Sequence, residues 1–194
     1  MKNNLPKLIL ASRSPRRKEL LAAAGYDFEV IHPSEAAESG AGENHPPHRL
    51  VERLAARKAA DVAARVGRGL VVGCDTVAEC EGRILGKPRD LQHARAMLAL
   101  LSGREHCVLS GLCLWPVPGK KHHTRVAETV LRMDRLSHEQ LEAYLAGRAW
   151  EGKAGAFGYQ DGLDWVHIVE GSESNVVGLP MELLARMLED LESS

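Results

Sequence analysis

The sequence predicts an α/β or α+β chain: a mixed sheet with helices around it and a cleft between two lobes. Three observations carry this. Short apolar runs and stretches of helical spacing alternate along the chain. Their alternation is too irregular for a clean doubly wound sheet. No G-x-G-x-x-G follows the first strand, which argues against a dinucleotide-binding fold.

The elements follow from local punctuation. Leu8 to Ala11 is a short apolar strand, and Ser14-Pro15 then signals a helix start, with Ser14 as N-cap and Pro at the first helical position. Gly25 stops that helix. Phe28, Val30 and Ile31 suggest a second strand, and 32–47, rich in Gly, Pro, Ser and Glu, reads as an exposed loop carrying Glu35, Glu38 and Glu43. Leu50, Val51, Leu54, Ala55, Ala59 and Val62 have helical spacing. Leu70 to Gly73 reads as a short strand with Asp75 just beyond it. Gly82 marks a turn and Gly86-Lys87-Pro88 a loop.

Asp90 can cap a helix that Gly103 ends. Val108 to Trp115 and Arg125 to Met133 read as strands. Ser137-His138-Glu139-Gln140 is a capping box for a helix ending at Gly147. The stretch 152–162 is glycine-rich and its local structure stays open. Trp165 to Val169 is a further strand, 170–175 a polar turn, and Pro180 opens a last amphipathic helix.

Composition limits the function. The chain has 194 residues, 44% hydrophobic and 26% charged, with a formal net charge of -1. That is the balance of a globular chain without a global basic surface, so no nucleic-acid coat is expected. No apolar run is long enough for a bilayer, and Leu8 to Ala11 is too short for a signal peptide. Cys74, Cys80, Cys107 and Cys113 form no C-x-x-C pair, which suits reduced thiols in a cytoplasmic protein and argues against zinc. His122-His123 reads as a loop pair, not a metal site. No Ser-His-Asp arrangement or G-x-S-x-G elbow is present.

Five constellations could carry chemistry. Ser12-Arg13-Ser14-Pro15-Arg16-Arg17 follows a strand and opens a helix, where free N–H groups, a positive dipole end and guanidinium groups suit a phosphate chain. The competing reading is a cap with solvated arginines. Gly73-Cys74-Asp75-Thr76 places an acid near a strand end, where it holds a metal, activates water, or merely caps a turn. Lys87, between Gly and Pro, and Lys58, late in a helix, are either phosphate partners or surface lysines. In 152–160, Lys153 could meet phosphate, Phe157 or Tyr159 could stack on a base, and Gln160 could read a base edge. Alternatively the aromatics anchor a loop in the core. The polar stretch 170–175 is a second ligand contact or an elaborate turn.

Together these pieces resemble the Maf family of nucleotide pyrophosphatases. The resemblance rests on six words in the family's order. They are L-A-S-R-S-P-R-R-K-E-L-L from Leu10, G-C-D-T-V from Gly73, I-L-G-K-P-R-D from Ile84, L-S-G-R-E-H from Leu101, G-K-A-G-A-F-G-Y-Q from Gly152 and N-V-V-G-L-P from Asn175. It covers nearly the whole chain, so residues 1–194 are expected to form one such domain. It implies an elongated Maf/ITPase-like mixed sheet with a deep cleft. It also implies hydrolysis of nucleoside triphosphates to monophosphate and diphosphate with a divalent metal, Mg or Mn. The associated roles are nucleotide-pool cleaning and cell-division restraint, and a homodimer is a family expectation.

By resemblance, Asp75 is the proton acceptor and Lys58 and Lys87 are charge partners of the triphosphate. Ser12, Arg16 and Arg17 form the phosphate cradle, and Lys153 joins the substrate-binding set. The family's Asp-Glu pair after the second strand falls on Ala36-Ala37 here, so Glu38 is taken as the metal-binding acid beside Asp75. Arg16, Thr76 and Gln160 match the subgroup acting on dTTP and UTP. Tyr159 and Asp161 depart from the usual G-I-Q-G wording and open another base preference, such as 7-methyl-GTP. The rival reading is a non-catalytic nucleotide-binding division regulator.

Overall fold

A computed structural model describes residues 6–38, 45–119 and 121–193; Glu43 lies outside them. Strands β1 (Leu8–Ala11), β2 (Phe28–Val30), β3 (Gly69–Cys80), β4 (Arg83–Leu85), β5 (Glu105–Val117), β6 (His123–Met133) and β7 (Val166–Glu170) form one seven-stranded sheet. Its order is β2-β1-β3-β5-β6-β7, and β4 pairs with β3. β1 runs parallel to β2 and β3, while the β3–β5–β6–β7 run and the β3–β4 hairpin are antiparallel. The mixed sheet expected from the sequence is therefore the one observed.

The helices are α1 (Pro15–Ala23), α2 (Glu35–Glu38), α3 (Pro47–Ala63), α4 (Leu91–Leu101), α5 (His138–Ala146), α6 (Glu173–Val177) and α7 (Met181–Glu192). The local signals act as the sequence predicts at α4 and α5. The Asp90 carboxylate accepts from the His93 N–H at 2.7 Å, and both bonds of the Ser137/Gln140 capping box form. At α1 they act differently. Ser14 sits at the N-cap position but its side chain caps nothing, and the Ser12 hydroxyl instead accepts from the Ser14 N–H at 3.1 Å.

Three further expectations need correction. The strand expected at 70–73 runs on to Cys80, so Asp75 lies within a strand and not beyond its end. Asp75, Thr76 and Glu79 interrupt the apolar run, but ladder pairing with β5 is continuous from Gly69↔Val117 to Glu79↔Cys107. The loop expected at 32–47 contains α2. The polar turn expected at 170–175 gives way to α6, anchored by the buried Asn175, whose amide donates to the Val108 carbonyl and the Thr129 hydroxyl, both at 3.0 Å.

Alternation along β3 sorts its side chains between two faces. Leu70, Val72 and Cys74 enter a core with Leu21 of α1 and Leu184 and Met187 of α7. Ala78 and Cys80, farther along that face, enter a second core with Leu98 of α4 and Leu145 of α5. Between them lies a polar level formed by Thr76 and the fully buried Ser110. These two cores are the two lobes expected from the sequence.

The opposite face of β3 and β5 carries α3, and two glycines set its distance. A Cβ on Gly73 would collide with the Ala55 carbonyl and lie 2.9 Å from Ala59 Cβ. One on Gly111 would collide with the Val51 carbonyl and lie 2.8 Å from the Glu52 nitrogen. Gly111 is the ladder partner of Asp75. The helix backbone thus rests directly on the sheet around Asp75.

His106 on β5 is 3% exposed, and neither ring nitrogen has a partner of hydrogen-bonding geometry. Its ring meets Phe157 edge-on at 5.3 Å. Burial pushes its imidazole from 6.5 down to about 4, against a smaller opposing pull from the Arg104 backbone.

Two outcomes follow. Gly111→Ala forces α3 off the sheet and lowers unfolding free energy by about 1–3 kcal/mol in chemical denaturation, the usual cost of overpacking. Unfolded His106 binds a proton more readily than folded His106. Its contribution to stability is therefore complete above pH 6.5 and is lost as pH falls from 6.5 toward 4. The loss is on the order of 3 kcal/mol, and unfolding curves of His106→Leu across that window lose this part of the pH dependence.

Candidate active site

Both neighbours on one edge of β3 stop short of its middle. Pairing with β1 ends at Ala11↔Gly73, and pairing with β4 begins at Ala78↔Leu85. Since β5 occupies the other edge throughout, 74–77 borders a gap in the sheet. A cleft of roughly 590 Å³ opens there, lined by Ser12, Arg16, Lys58, Asp75, Lys87 and Gln160 among others. Residues from four of the five constellations thus share one cavity, while 170–175 lies outside its lining.

The acids and lysines meet on the α3 side. Lys58, 5% exposed, donates to Asp75 Oδ1 at 2.6 Å and lies 3.5 Å from Glu38 Oε2. Removing an ammonium from water costs several kcal/mol unless carboxylates compensate, so Lys58 draws Glu38 and Asp75 toward one point. Glu35, at the other end of α2, is exposed and makes no such contact. Lys87 faces the same space from the loop after β4. Desolvation lowers its pKa, Glu38 opposes that, and the nearby charges of Lys58, Arg17 and Arg16 add to it.

On the opposite face stands Arg17, 8% exposed. Its Nε donates to the Gly178 carbonyl at 2.7 Å, one terminal nitrogen to the Cys74 carbonyl at 2.8 Å and to Ser12 Oγ at 3.3 Å, and the other to Thr76 Oγ1 at 3.1 Å. These contacts engage four of the five guanidinium donors. Arg17 is therefore foremost a strut that joins α1, the β3 edge and the 178 turn. The Thr76 hydroxyl is similarly engaged, at 2.7 Å from Ser110 Oγ and 3.3 Å from the Gly178 carbonyl.

Arg16, one residue earlier, is half-buried and donates to the Gly152 carbonyl at 3.3 Å. Burial and the adjacent Arg17 charge lower its pKa, with Asp161 and Glu19 opposing. The segment it touches folds as two single turns, Ala154–Ala156 and Tyr159–Asp161. Phe157 and Tyr159 pack against the second core, so the core-anchor reading of these aromatics describes their contacts. Lys153 lines the cleft and pairs with Asp161, while Gln160 is exposed at the wall.

Sequence reasoning missed Ser110 and the Gly178 carbonyl. The signal for Ser110 was a lone hydroxyl inside an apolar strand, V-L-S-G-L. The carbonyl has no side-chain signature, although Gly178 adopts φ +124°, a region open mainly to glycine.

Chemically, the cleft joins a cluster of cations to two convergent carboxylates. That suits a polyphosphate together with a hard divalent cation, since such ions take one or two carboxylates and complete their shell with phosphate and water. Among the described residues no group of three or more His, Cys, Asp or Glu forms a self-sufficient metal cage.

The architecture is that of the Ham1 proteins. The Staphylococcus aureus Ham1 structure superposes with a TM-score of 0.54 at 11% identity, over 95% of this chain and 98% of that one. A HAM1 protein from Coxiella burnetii gives 0.53 at 13% identity, over 98% and 100%. Within that fold class the family is specific: the profile of Maf-like proteins matches residues 7–191, and the chain belongs to the Maf family. It is 53% identical over 192 residues to a dTTP/UTP pyrophosphatase of Rhodopirellula baltica, covering 98% of this chain and 85% of that protein. It is 43% identical over 185 residues to a dTTP/UTP pyrophosphatase of Elusimicrobium minutum, covering 95% and 98%.

The strut sets one expectation. Arg17→Lys keeps a positive charge but cannot span four acceptors. It should lower unfolding free energy by about 2 kcal/mol and Tm by about 4–8 °C in a thermal scan.

Proposed function

We propose that this protein is a nucleoside triphosphate pyrophosphatase that hydrolyses dTTP and UTP to the monophosphate and diphosphate. The observation that carries the reading is the convergence of Glu38, Lys58 and Asp75 in a cleft whose remaining charged lining is cationic except for Glu151, which pairs with Arg148. The names of the Rhodopirellula and Elusimicrobium relatives support the same activity.

In this reading water attacks the α-phosphorus, its oxygen forms the new P–O bond, and the α–β bridging bond breaks to release diphosphate. Asp75 takes the water's proton. Its Oδ1 is held by Lys58, and Asp75 lines the cleft, so Oδ2 is the oxygen left to accept that proton. Glu38 and Asp75 would hold a divalent cation, Mg or Mn, which when bound neutralises phosphate charge and lowers the pKa of water. Lys58 holds both carboxylates in place. Lys87 and Arg16 meet the phosphate oxygens, and Ser12 contributes its hydroxyl at the start of α1. Lys153 is a further phosphate contact, and Gln160 reads the base edge.

Arg17 and Thr76 enter this scheme through positioning. The Thr76 hydroxyl already meets three protein groups, so its part in base preference is to fix Gly178 and Arg17. The described residues include no helix long and apolar enough to cross a membrane. The four cysteines are free, which supports action in a reducing compartment such as the cytoplasm.

The test is diphosphate release with Mg and then Mn across dTTP, UTP, CTP, GTP and 7-methyl-GTP. Preference for dTTP and UTP is expected. Asp75→Asn should cut turnover by about 10²–10⁴ while nucleotide binding persists. Silence of the wild type across the panel would leave the binding-only regulator as the better account. A different preferred base would move selectivity to Tyr159 and Asp161.

A further inference from the structure

The scheme above uses Lys153 as a phosphate contact but gives no role to the carboxylate that Lys153 already holds. Lys153 Nζ donates to Asp161 Oδ2, and the two side chains are only 13% and 25% exposed. The pair lies directly over Gly158. A Cβ there would collide with the Lys153 ammonium, and Lys153 Cε would lie only 2.8 Å away. Lys153 and Gly158 line the cleft, whereas Asp161 is not part of its lining. The carboxylate therefore engages an ammonium that borders the cleft. Its charge also reaches Arg16, the other cation tied to this wall through Gly152.

This arrangement differs from the Lys58 cluster. There the carboxylates line the cleft with the lysine, and all three groups face the same space. At Lys153 the carboxylate only takes up a donor that would otherwise face the cleft. A partly desolvated pair is screened less than a surface pair, so the carboxylate competes effectively with an incoming anion.

Resting on the pyrophosphatase reading, we propose that Asp161 is an internal counter-ion that sets affinity for polyphosphate anions by holding Lys153 back from the cleft. An anion gains Lys153 only by displacing Asp161. Affinity for substrate and for diphosphate product is correspondingly weaker than the cationic lining alone would give.

The test is calorimetric binding of inorganic pyrophosphate, with KM and kcat for UTP measured in parallel. Asp161→Asn should bind pyrophosphate about three- to tenfold more tightly, lower the KM for UTP by a similar factor and steepen the salt dependence of binding. Lys153→Met should weaken pyrophosphate binding only about twofold in the wild-type background, yet erase the whole gain in the Asp161→Asn background. Asp161→Gly serves as a second variant that cannot hydrogen-bond to the lysine.

Unchanged or weaker pyrophosphate binding in both Asp161 variants overturns the proposal. So does additivity of the Lys153 and Asp161 effects, or loss of the fold in both Asp161 variants, which would make the residue structural. Absence of pyrophosphate binding in wild type and variants alike also overturns it. The pyrophosphate-binding readouts need no turnover, so they fail separately from the hydrolase reading, which falls if the wild type cleaves no nucleoside triphosphate.

Discussion

The close seating of α3 on β3 and β5 is the constraint on which the site depends. Gly73 and Gly111 remove the side chains that would separate helix from sheet, and Gly111 lies directly across the ladder from Asp75. Only at that distance does Lys58 reach Asp75 at 2.6 Å while staying 5% exposed. Once buried, the ammonium needs compensation, and it draws on α2 as well through Glu38. One charge thus ties together three successive elements, α2, α3 and β3. Backbone packing fixes the geometry of the acids before any ligand arrives, as preorganised electrostatic catalysis requires.

The gap in the sheet edge is the second requirement, and it raises a problem that Arg17 solves. A strand edge without a neighbour leaves backbone carbonyls unpaired. The Cys74 carbonyl lies in that gap and accepts from Arg17, while the Gly178 carbonyl accepts from Arg17 Nε. The polar level of Thr76 and Ser110 lies between two apolar cores, so its hydroxyls need partners too, and they find each other and the same guanidinium. The buried arginine therefore completes a stretch of structure that strands would otherwise complete. The opening between the lobes persists because a side chain, and not a neighbouring strand, satisfies its edge.

Much of this was legible in the sequence wherever the signal is local. Asp90, the Ser137–Gln140 box and Gly103 mark helix ends, and the structure honours them. The full length of β3 was not legible. Asp75 and Thr76 look like the end of a strand because their side chains serve the cleft, while their backbones are held by β5, more than thirty residues away. A short helix such as α6 depends in the same way on Asn175 reaching Val108 and Thr129. The candidate residues stood out as words in the sequence, and the structure gathers them in one cleft. Which of them touch each other, and which merely support, was a property of tertiary contacts that no spacing encodes.

That distinction separates the cations. Lys58 is spent on two carboxylates, Arg17 on four acceptors and Lys153 on Asp161. Among the described residues, Lys87 makes no ion pair, and desolvation lowers its pKa. An ammonium desolvated without a partner is stabilised when an anion arrives, so binding a phosphate there relieves a cost already present in the empty cleft. The lining is thus divided by prior commitment: engaged cations hold the shape of the cleft, and the disengaged one at Lys87, with Arg16 beside it, is left to meet incoming charge. Attraction for a polyphosphate can then be tuned at the cleft wall without disturbing the cluster that positions Asp75.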